Sequence, residues 1–248
     1  MKFAGKSDRG LARSQNEDAF CIISGTDHQP VILAVADGMG GHKAGNVASG
    51  MAMQILQATL QQDLSRNQDE DAIKKKLAGV VKKANQAIYK RSMLERECEG
   101  MGTTLIITAV MGSKMIVAHV GDSCVYLFRN RTLQKVTTDH TYVEELVRIG
   151  TLTREEAMVH PKRNYITRAV GCTSQVEADL FAVELEPADR LLLCSDGLNK
   201  MLPEDEILNI IYSSDDPDKL CGDLIEMSNR RGGIDNITAL VFLNVDEV

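Results

Sequence analysis

None of the six cysteines in this 248-residue sequence, at 21, 98, 124, 172, 194 and 221, forms a CxxC pair. That spacing excludes a zinc knuckle and a CxxC redox motif. Most of the cysteines sit in apolar runs, where a free thiol behaves as a small hydrophobe. Reduced, buried thiols are therefore expected rather than a disulfide framework. The amino-terminal MKFAGKSDRG lacks the apolar stretch of a signal peptide. The longest apolar runs, such as 31–36, fall far short of the roughly 20 residues that span a bilayer. A soluble, cytoplasmic protein is the expectation. An excess of positive charge is also missing, since 28 Lys+Arg stand against 35 Asp+Glu for a formal net charge of −7. That balance argues against a general nucleic-acid or anionic-membrane binder, and leaves room only for a local basic groove.

Signatures of several phosphate chemistries are absent too. The Gly-rich DGMGGHKAG at 37–45 lacks the GKS or GKT ending of a P-loop, and Lys43 takes the place of the last glycine of GxGxxG. No cysteine is followed by an arginine six positions on, so the phosphate cradle of a cysteine phosphatase is missing. No GxSxG elbow occurs either.

What is present is enough apolar residue, 44% of the chain, to build a core without covalent staples. No low-complexity linker or solenoid repeat divides the sequence. Residues 19–24 and 31–36 read as strands, followed by a helix from about 42 to 60. Ala72, Ile73, Leu77, Val80, Val81, Ala84, Ala87 and Ile88 recur at helical spacing. The period then changes to β-rich runs at 103–111, 115–120, 125–129 and 133–137, with Gly112-Ser113 as a two-residue hairpin turn. Short helical pieces at 143–149 and 154–158 precede strands at 166–170, 178–183 and 190–194. Helices at 203–212 and 217–229 and a strand at 237–243 close the chain. Strand runs alternating with helix pairs point to α+β layers rather than a βαβ parallel sheet.

Three aspartates share one context. Asp37 follows VILAVA, Asp196 follows LLLCS, and Asp235 precedes the strand ITALVF, while Glu17 and Asp18 stand just before AFCII. A single Asp-Gly is an ordinary turn signal. Acids recurring at the ends of apolar strands can instead converge at one rim of a sheet. Two carboxylates about 4 Å apart cost on the order of 4 kcal/mol at an effective dielectric of 20, so a cluster needs a cation or shifted pKa values. The candidate donors are all oxygens, which suits Mg2+, Mn2+ or Ca2+ and disfavours structural zinc. Arg13, four residues before Glu17, is a candidate phosphate ligand by context.

Taken together, RSQNED at 13–18, DGMGGH at 37–42, GTT at 102–104, HVGDS at 119–123, TDH at 138–140, HP at 160–161, NYITRAVG at 164–171, SDG at 195–197 and DNIT at 235–238 form an ordered set. The set resembles the metal-dependent Ser/Thr protein phosphatases of the 2C type, the PPM family, in their compact bacterial form. The resemblance spans nearly the whole chain. It implies a four-layer αββα sandwich, two mainly antiparallel sheets flanked by helix pairs, within a single catalytic domain over 1–248. It implies hydrolysis of phosphoserine and phosphothreonine in proteins by a water bridging two metal ions. Asp37 is then the bridging ligand, Asp196 and Asp235 complete one ion's shell, and the Gly38 carbonyl serves the other. Glu17 and Asp18 hold metal-bound waters, Asp122 with Asp196 forms a third site, and Arg13 holds the phosphate. The cofactors implied are Mn2+ or Mg2+.

The sequence departs from the family pattern in two places. Met39 stands where many animal relatives carry a histidine proposed as general acid, and His42 is the candidate replacement, with a helix-start role as the alternative. The motif GDSR here reads GDSC, ending in Cys124, for which a buried, inert thiol is weighed against a redox-sensitive one. His119 reads as a core histidine. The insertion 141–163, with its mixed charges, resembles the family's flap beside the metal centre, the alternative being a fixed hairpin that covers a sheet edge. The expected partners are phosphorylated proteins and an opposing Ser/Thr kinase, with no nucleic acid or membrane, and a monomer. A small-phosphoester hydrolase and a non-catalytic phosphoprotein-binding module are the competing functions.

Overall fold

The computed structural model describes residues 1–25, 29–40, 44–60 and 69–244. Its strands form two antiparallel sheets. The first orders β1 (Lys2–Asp8), β11 (Ile237–Leu243), β10 (Arg190–Cys194), β7 (Cys124–Arg129) and β8 (Thr132–Lys135). The second orders β2 (Asp18–Ile23), β3 (Val31–Met39), β5 (Leu105–Met111), β6 (Lys114–Val120) and β9 (Asp179–Glu184), with β4 (Gly102–Thr103) beside the end of β3.

Alternation along β3 explains the layers. Val31, Leu33 and Val35 pack with Val125, Leu127, Leu191, Leu193, Leu240 and Phe242 of the other sheet. Ile32, Ala34 and Ala36 point the opposite way, onto α1 (Ala44–Leu60) and α2 (Glu70–Leu94). Period-two side-chain direction in a strand buried on both faces gives this continuous apolar run. On the far side, β10 and β11 pack Leu192, Cys194, Ala239 and Val241 against α6 (Glu204–Ile211) and α7 (Pro217–Arg230). Small residues on α1, Ala48 and Ala52, let the helix lie close to the sheet. The expected four layers are therefore built from three apolar seams. The hairpin between β5 and β6 turns through Gly112, whose φ of 58° is a conformation that favours glycine.

The structure corrects several expected boundaries. The run 166–170 makes only isolated bridges, Thr103 to Val170 and Thr141 to Ile166, and is not a strand. Lys2–Asp8 is a strand, although its half-buried alternation is weak. Asp37 does not follow β3 but lies inside it, because β3 runs on to Met39. Asp196 opens a four-residue helix, α5 (Asp196–Asn199), rather than a plain turn. The segment after Asp139 carries α3 (Tyr142–Arg148) and α4 (Arg154–Val159). Among the described residues no helix is long and apolar enough to cross a membrane. All six cysteines are free, and all but Cys172 are buried.

Candidate active site

Asp37 is held by backbone bonds on both sides. In the register of β2 with β3 it faces Asp18 directly. Its N–H donates to Thr104 Oγ1 at 2.9 Å, and its carbonyl accepts from the Thr103 hydroxyl and from the Thr104 N–H, each at 2.9 Å. The Gly38 N–H donates to the Glu17 carbonyl at 3.1 Å. A Cβ at Gly38 would come within 2.1 Å of the Gly45 carbonyl oxygen, so glycine alone allows the start of α1 to close on this strand end. A Cβ on Gly45 would in turn lie 2.9 Å from Glu17 Cδ, which places the Glu17 carboxyl at the same junction.

Asp196 and Asp235 come from the ends of β10 and β11 in the other sheet, and Asp122 from the connection between β6 and β7. Asp18 Oδ2 accepts hydrogen bonds from the Ser195 hydroxyl at 2.7 Å and from the Thr238 hydroxyl at 2.6 Å, which ties β2 to β10 and β11. Asp235 Oδ1 accepts from the Asn236 N–H at 2.9 Å, and Oδ2 accepts from Arg13 Nη2 at 2.8 Å. The buried Asn236 side chain donates to the carbonyls of Arg9 and Gln15 and accepts from the Glu17 N–H, at 2.8–2.9 Å. This one amide pins residues 9–17, and with them Arg13, to the head of β11. A Cβ at Gly197 would stand 3.2 Å from Asp235 Cβ, so α5 and the head of β11 are in contact.

Electrostatics records the convergence. Burial pushes the Asp37 carboxyl well above the usual carboxylate range, and the charges of Asp18, Asp196, Asp122 and Asp235 push it further. Burial also raises Asp18 to about 7, against its two hydroxyl bonds and with the repulsion of Asp196 and Asp235. Asp122, almost fully buried, is raised to about 7 by burial and then by Asp196, with Lys200 opposing. The pair expected to form a third metal site, Asp122 and Asp196, is bridged by Lys200, whose Nζ lies 3.5 Å from Asp122 Oδ2 and is paired with Asp196 Oδ2. Burial works against the Lys200 charge, but Asp196 and Asp122 outweigh it and raise its pKa.

The donor set fits a hard divalent cation. One oxygen each of Asp18, Asp122 and Asp196 is buried without a partner, and such orphaned acceptors are costly unless something else satisfies them. All are carboxylate oxygens, the ligand type of Mg2+ and Mn2+. Among the described residues no three acidic, His or Cys side chains are drawn into a closed ligand triad. Arg13 is paired with Asp235, and Lys200 with Asp122 and Asp196.

Of the residues singled out in the sequence, Asp18, Asp37, Asp122, Asp196 and Asp235 feel one another's charge, with Arg13, Glu17 and Gly38 at their border. His42 lies outside the described residues, as does His28. His119 is fully buried, its Nε2 2.9 Å from the Ser123 carbonyl, as expected of a core histidine. It packs on the ring of His140, which accepts the Gly121 N–H at Nδ1 and meets Asp179 through Nε2. Lys200, Asn236, Ser195 and Thr238 were not given roles by sequence reasoning. Lys200 stands four residues after Asp196, one helical turn on, but the helix between them has only four residues and shows no period in the sequence. The others become visible only once the two sheets are joined.

Beside Asp122 and Lys200 opens a cleft of about 560 Å³, walled by Val143, Val147, Arg154 and Met158 of the 141–163 segment and by Leu202 opposite. A larger surface groove of about 770 Å³, between β1 and α7, contains none of the converging acids.

The fold of two antiparallel sheets between helices matches that of PPM Ser/Thr phosphatase structures. Residues 9–223 match the family model for protein phosphatase 2C, and the chain belongs to that family. It is a protein-serine/threonine phosphatase. It is 40% identical over 236 residues to the serine/threonine phosphatase stp of Listeria welshimeri, covering 95% of this chain and 93% of that one. The solved structure of the S. agalactiae serine/threonine phosphatase superposes with a TM-score of 0.92 at 35% identity, covering 99% of both chains. The catalytic domain of the phosphatase PstP, solved in complex with two manganese ions, superposes with a TM-score of 0.84 at 37% identity, covering 99% of this chain and 98% of that one.

Proposed function

We propose that the acid ring holds divalent cations and that this phosphatase hydrolyses phosphoserine and phosphothreonine in proteins, opposing a Ser/Thr kinase. The observation that carries the reading is the meeting of five aspartates from both sheets, three of them with a buried, unpartnered oxygen. Asp37, the Gly38 carbonyl, Asp196 and Asp235 are the ligands of two ions. Glu17 and Asp18 hold waters at their edge, and Asp122 with Asp196 offers a third position that Lys200 contests. When bound, such ions make a water nucleophilic near neutral pH and offset the charge of a phosphoryl group. Manganese fits the ring and is the ion in the PstP complex; magnesium has the same preference for oxygen.

The chain's own residues do the rest. The backbone bonds of Asp37 fix where its carboxyl points and exclude a register slip. Ser195 and Thr238 occupy one oxygen of Asp18 and leave the other, buried and unpartnered among the described residues, for a ligand. Arg13 is half exposed and among the described residues is bonded to Asp235 through one nitrogen, so its fork remains able to take a phosphate bidentately. The 141–163 segment forms one wall of the cleft next to the ring, which gives a phosphorylated peptide a surface beyond the phosphate.

The test is phosphate release from a phosphothreonine peptide and from an aryl phosphate, with Mn2+ and with a chelator. Manganese-dependent release from the peptide, lost in Asp37→Asn, is the expected result. Wild-type turnover in a purified Asp37→Asn protein would overturn the ligand assignment. Exchange of 141–163 is expected to change peptide rates more than aryl phosphate rates, and equal changes would remove its role in substrate choice.

A further inference from the structure

Cys124 and Cys194 are directly opposite each other on β7 and β10, and their Sγ atoms are 3.9 Å apart. Opposed residues in antiparallel strands have Cα atoms about 4.5–5.5 Å apart, inside the range that a disulfide spans. Closing the bond requires side-chain torsions to change and the sulfurs to approach to about 2.05 Å, without a new strand pairing. Both thiols are fully buried, and Cys124 lies directly behind two residues that line a cleft. Its sulfur accepts a hydrogen bond from Asn199 Nδ2 at 2.7 Å and is bonded to the Tyr126 hydroxyl. Asn199 and Tyr126 both line the cleft of about 560 Å³, so one layer of side chains separates the sulfur from a space that small solutes enter.

The position of the pair gives it consequence. Cys124 is two residues after Asp122, and Cys194 is two residues before Asp196. The serines between them are also bonded into the ring: Ser195 to Asp18, and Ser123 to Thr104, whose hydroxyl oxygen holds the Asp37 N–H. Moving the two sulfurs together pulls on both strand ends that carry acids, and it breaks the Asn199 bond at the end of the α5 turn.

We propose that Cys124 and Cys194 form an oxidisable dithiol which hydrogen peroxide closes to a disulfide, weakening divalent-cation binding at the acid ring. The Cys124 sulfur attacks peroxide, the O–O bond breaks, and Cys124 becomes a sulfenic acid with release of one water. The Cys194 sulfur then attacks the Cys124 sulfur, the S–O bond breaks, and a second water leaves with the remaining thiol proton. Two thiols are oxidised, and one peroxide is reduced to two waters. The disulfide stands on the sulfur geometry alone; its effect on cations rests on the metal reading of the ring.

The experiment treats the full chain with hydrogen peroxide, alkylates the remaining thiols and maps the peptides by mass. It then titrates Mn2+ by calorimetry before oxidation, after it, and after reduction with dithiothreitol. A linked Cys124–Cys194 peptide is expected in the wild type and in Cys172→Ser, and not in Cys194→Ser. Mn2+ affinity is expected to fall by at least about tenfold, as for loss of groups that orient metal ligands, and to return on reduction. Alkylation of both cysteines after a treatment that oxidises the exposed Cys172 would overturn the dithiol. A linked peptide with unchanged Mn2+ affinity would overturn the coupling. A reduced protein that binds no Mn2+ would instead refute the metal reading, and the peptide map would still decide the dithiol.

Discussion

The acid ring and the 141–163 segment lie side by side, yet they are built on opposite terms. Asp37, Asp18 and Asp235 are each held by residues distant in the chain. Asp37 alone is held by Thr103, Thr104 and the neighbouring strand, and Asn236 binds three backbone groups at once. The segment is organised locally. Thr141 caps α3, and Thr153 with Glu156 forms a capping box on α4. Its apolar side chains Ile149, Met158 and Val159 face solvent, the last at 79% exposed. Groups that meet a phosphoryl centre gain from preorganisation, which needs support from outside their own element. A surface that meets varied proteins can rest on local caps and remain free to adapt. The contrast teaches that geometry is conserved within this molecule by cross-sheet bonds, and latitude by their absence.

The largest expected effect breaks the ring at its centre. Asp37→Asn should lower phosphopeptide turnover by about a thousandfold or more, as removal of a central catalytic group does. The same change removes a repelled carboxylate, so the metal-free variant should melt no lower than the wild type and should lose its stabilisation by Mn2+. A thermal melt with and without Mn2+ checks both. Asn236→Ala comes next. It leaves part-buried backbone groups of Arg9, Gln15 and Glu17 unpaired and should cost about 2–3 kcal/mol in denaturant unfolding. Because it frees the loop that carries Arg13, KM for phosphopeptide should rise as well.

A smaller effect depends on pH. Burial lowers His119 to about 3, with His140 adding to it. Between about 6.5 and 3 the unfolded chain binds a proton at this site that the folded chain does not. From this group stability falls as the pH drops through that window, by up to about 1.4 kcal/mol per pH unit, while the raised carboxyls of Asp18, Asp37 and Asp122 act in the opposite sense in the metal-free protein. His119→Gln should remove that contribution, so between pH 6.5 and 4.5 its stability in denaturant melts should fall less, or rise more, than that of the wild type. The smallest expected effect lies in the segment. Thr153→Ala should cost about 1 kcal/mol of local helix stability, seen as faster amide exchange in α4, and leave aryl phosphate turnover unchanged.

The same contrast separates what was legible in the sequence from what was not. The runs 31–36, 190–194 and 237–243 are apolar on both faces, and strands of that kind announce themselves without a partner. The capped helices of the segment were legible too, because caps are local. Lys2–Asp8 was missed because it is half buried and pairs only with β11, so its state is set by a strand more than 200 residues away. The run 166–170 has strand composition, but its groups bond to Thr103 and His140 rather than to a ladder. The acids were recognisable by their place beside apolar strands. Their tethers were not, since Ser195 and Thr238 reach Asp18 only across the joined sheets. Lys200 between Asp122 and Asp196 follows helical spacing from a helix of only four residues, too short to show a period.

The central claim is that Asp37, Asp196 and Asp235 surround paired divalent ions. A crystal grown with Mn2+ and measured for manganese anomalous scattering addresses it most directly. Two peaks within coordination distance of these carboxylates and the Gly38 carbonyl are the predicted result. An ordered acid ring with no peak beside Asp37, in a crystal whose protein still releases phosphate, would contradict it.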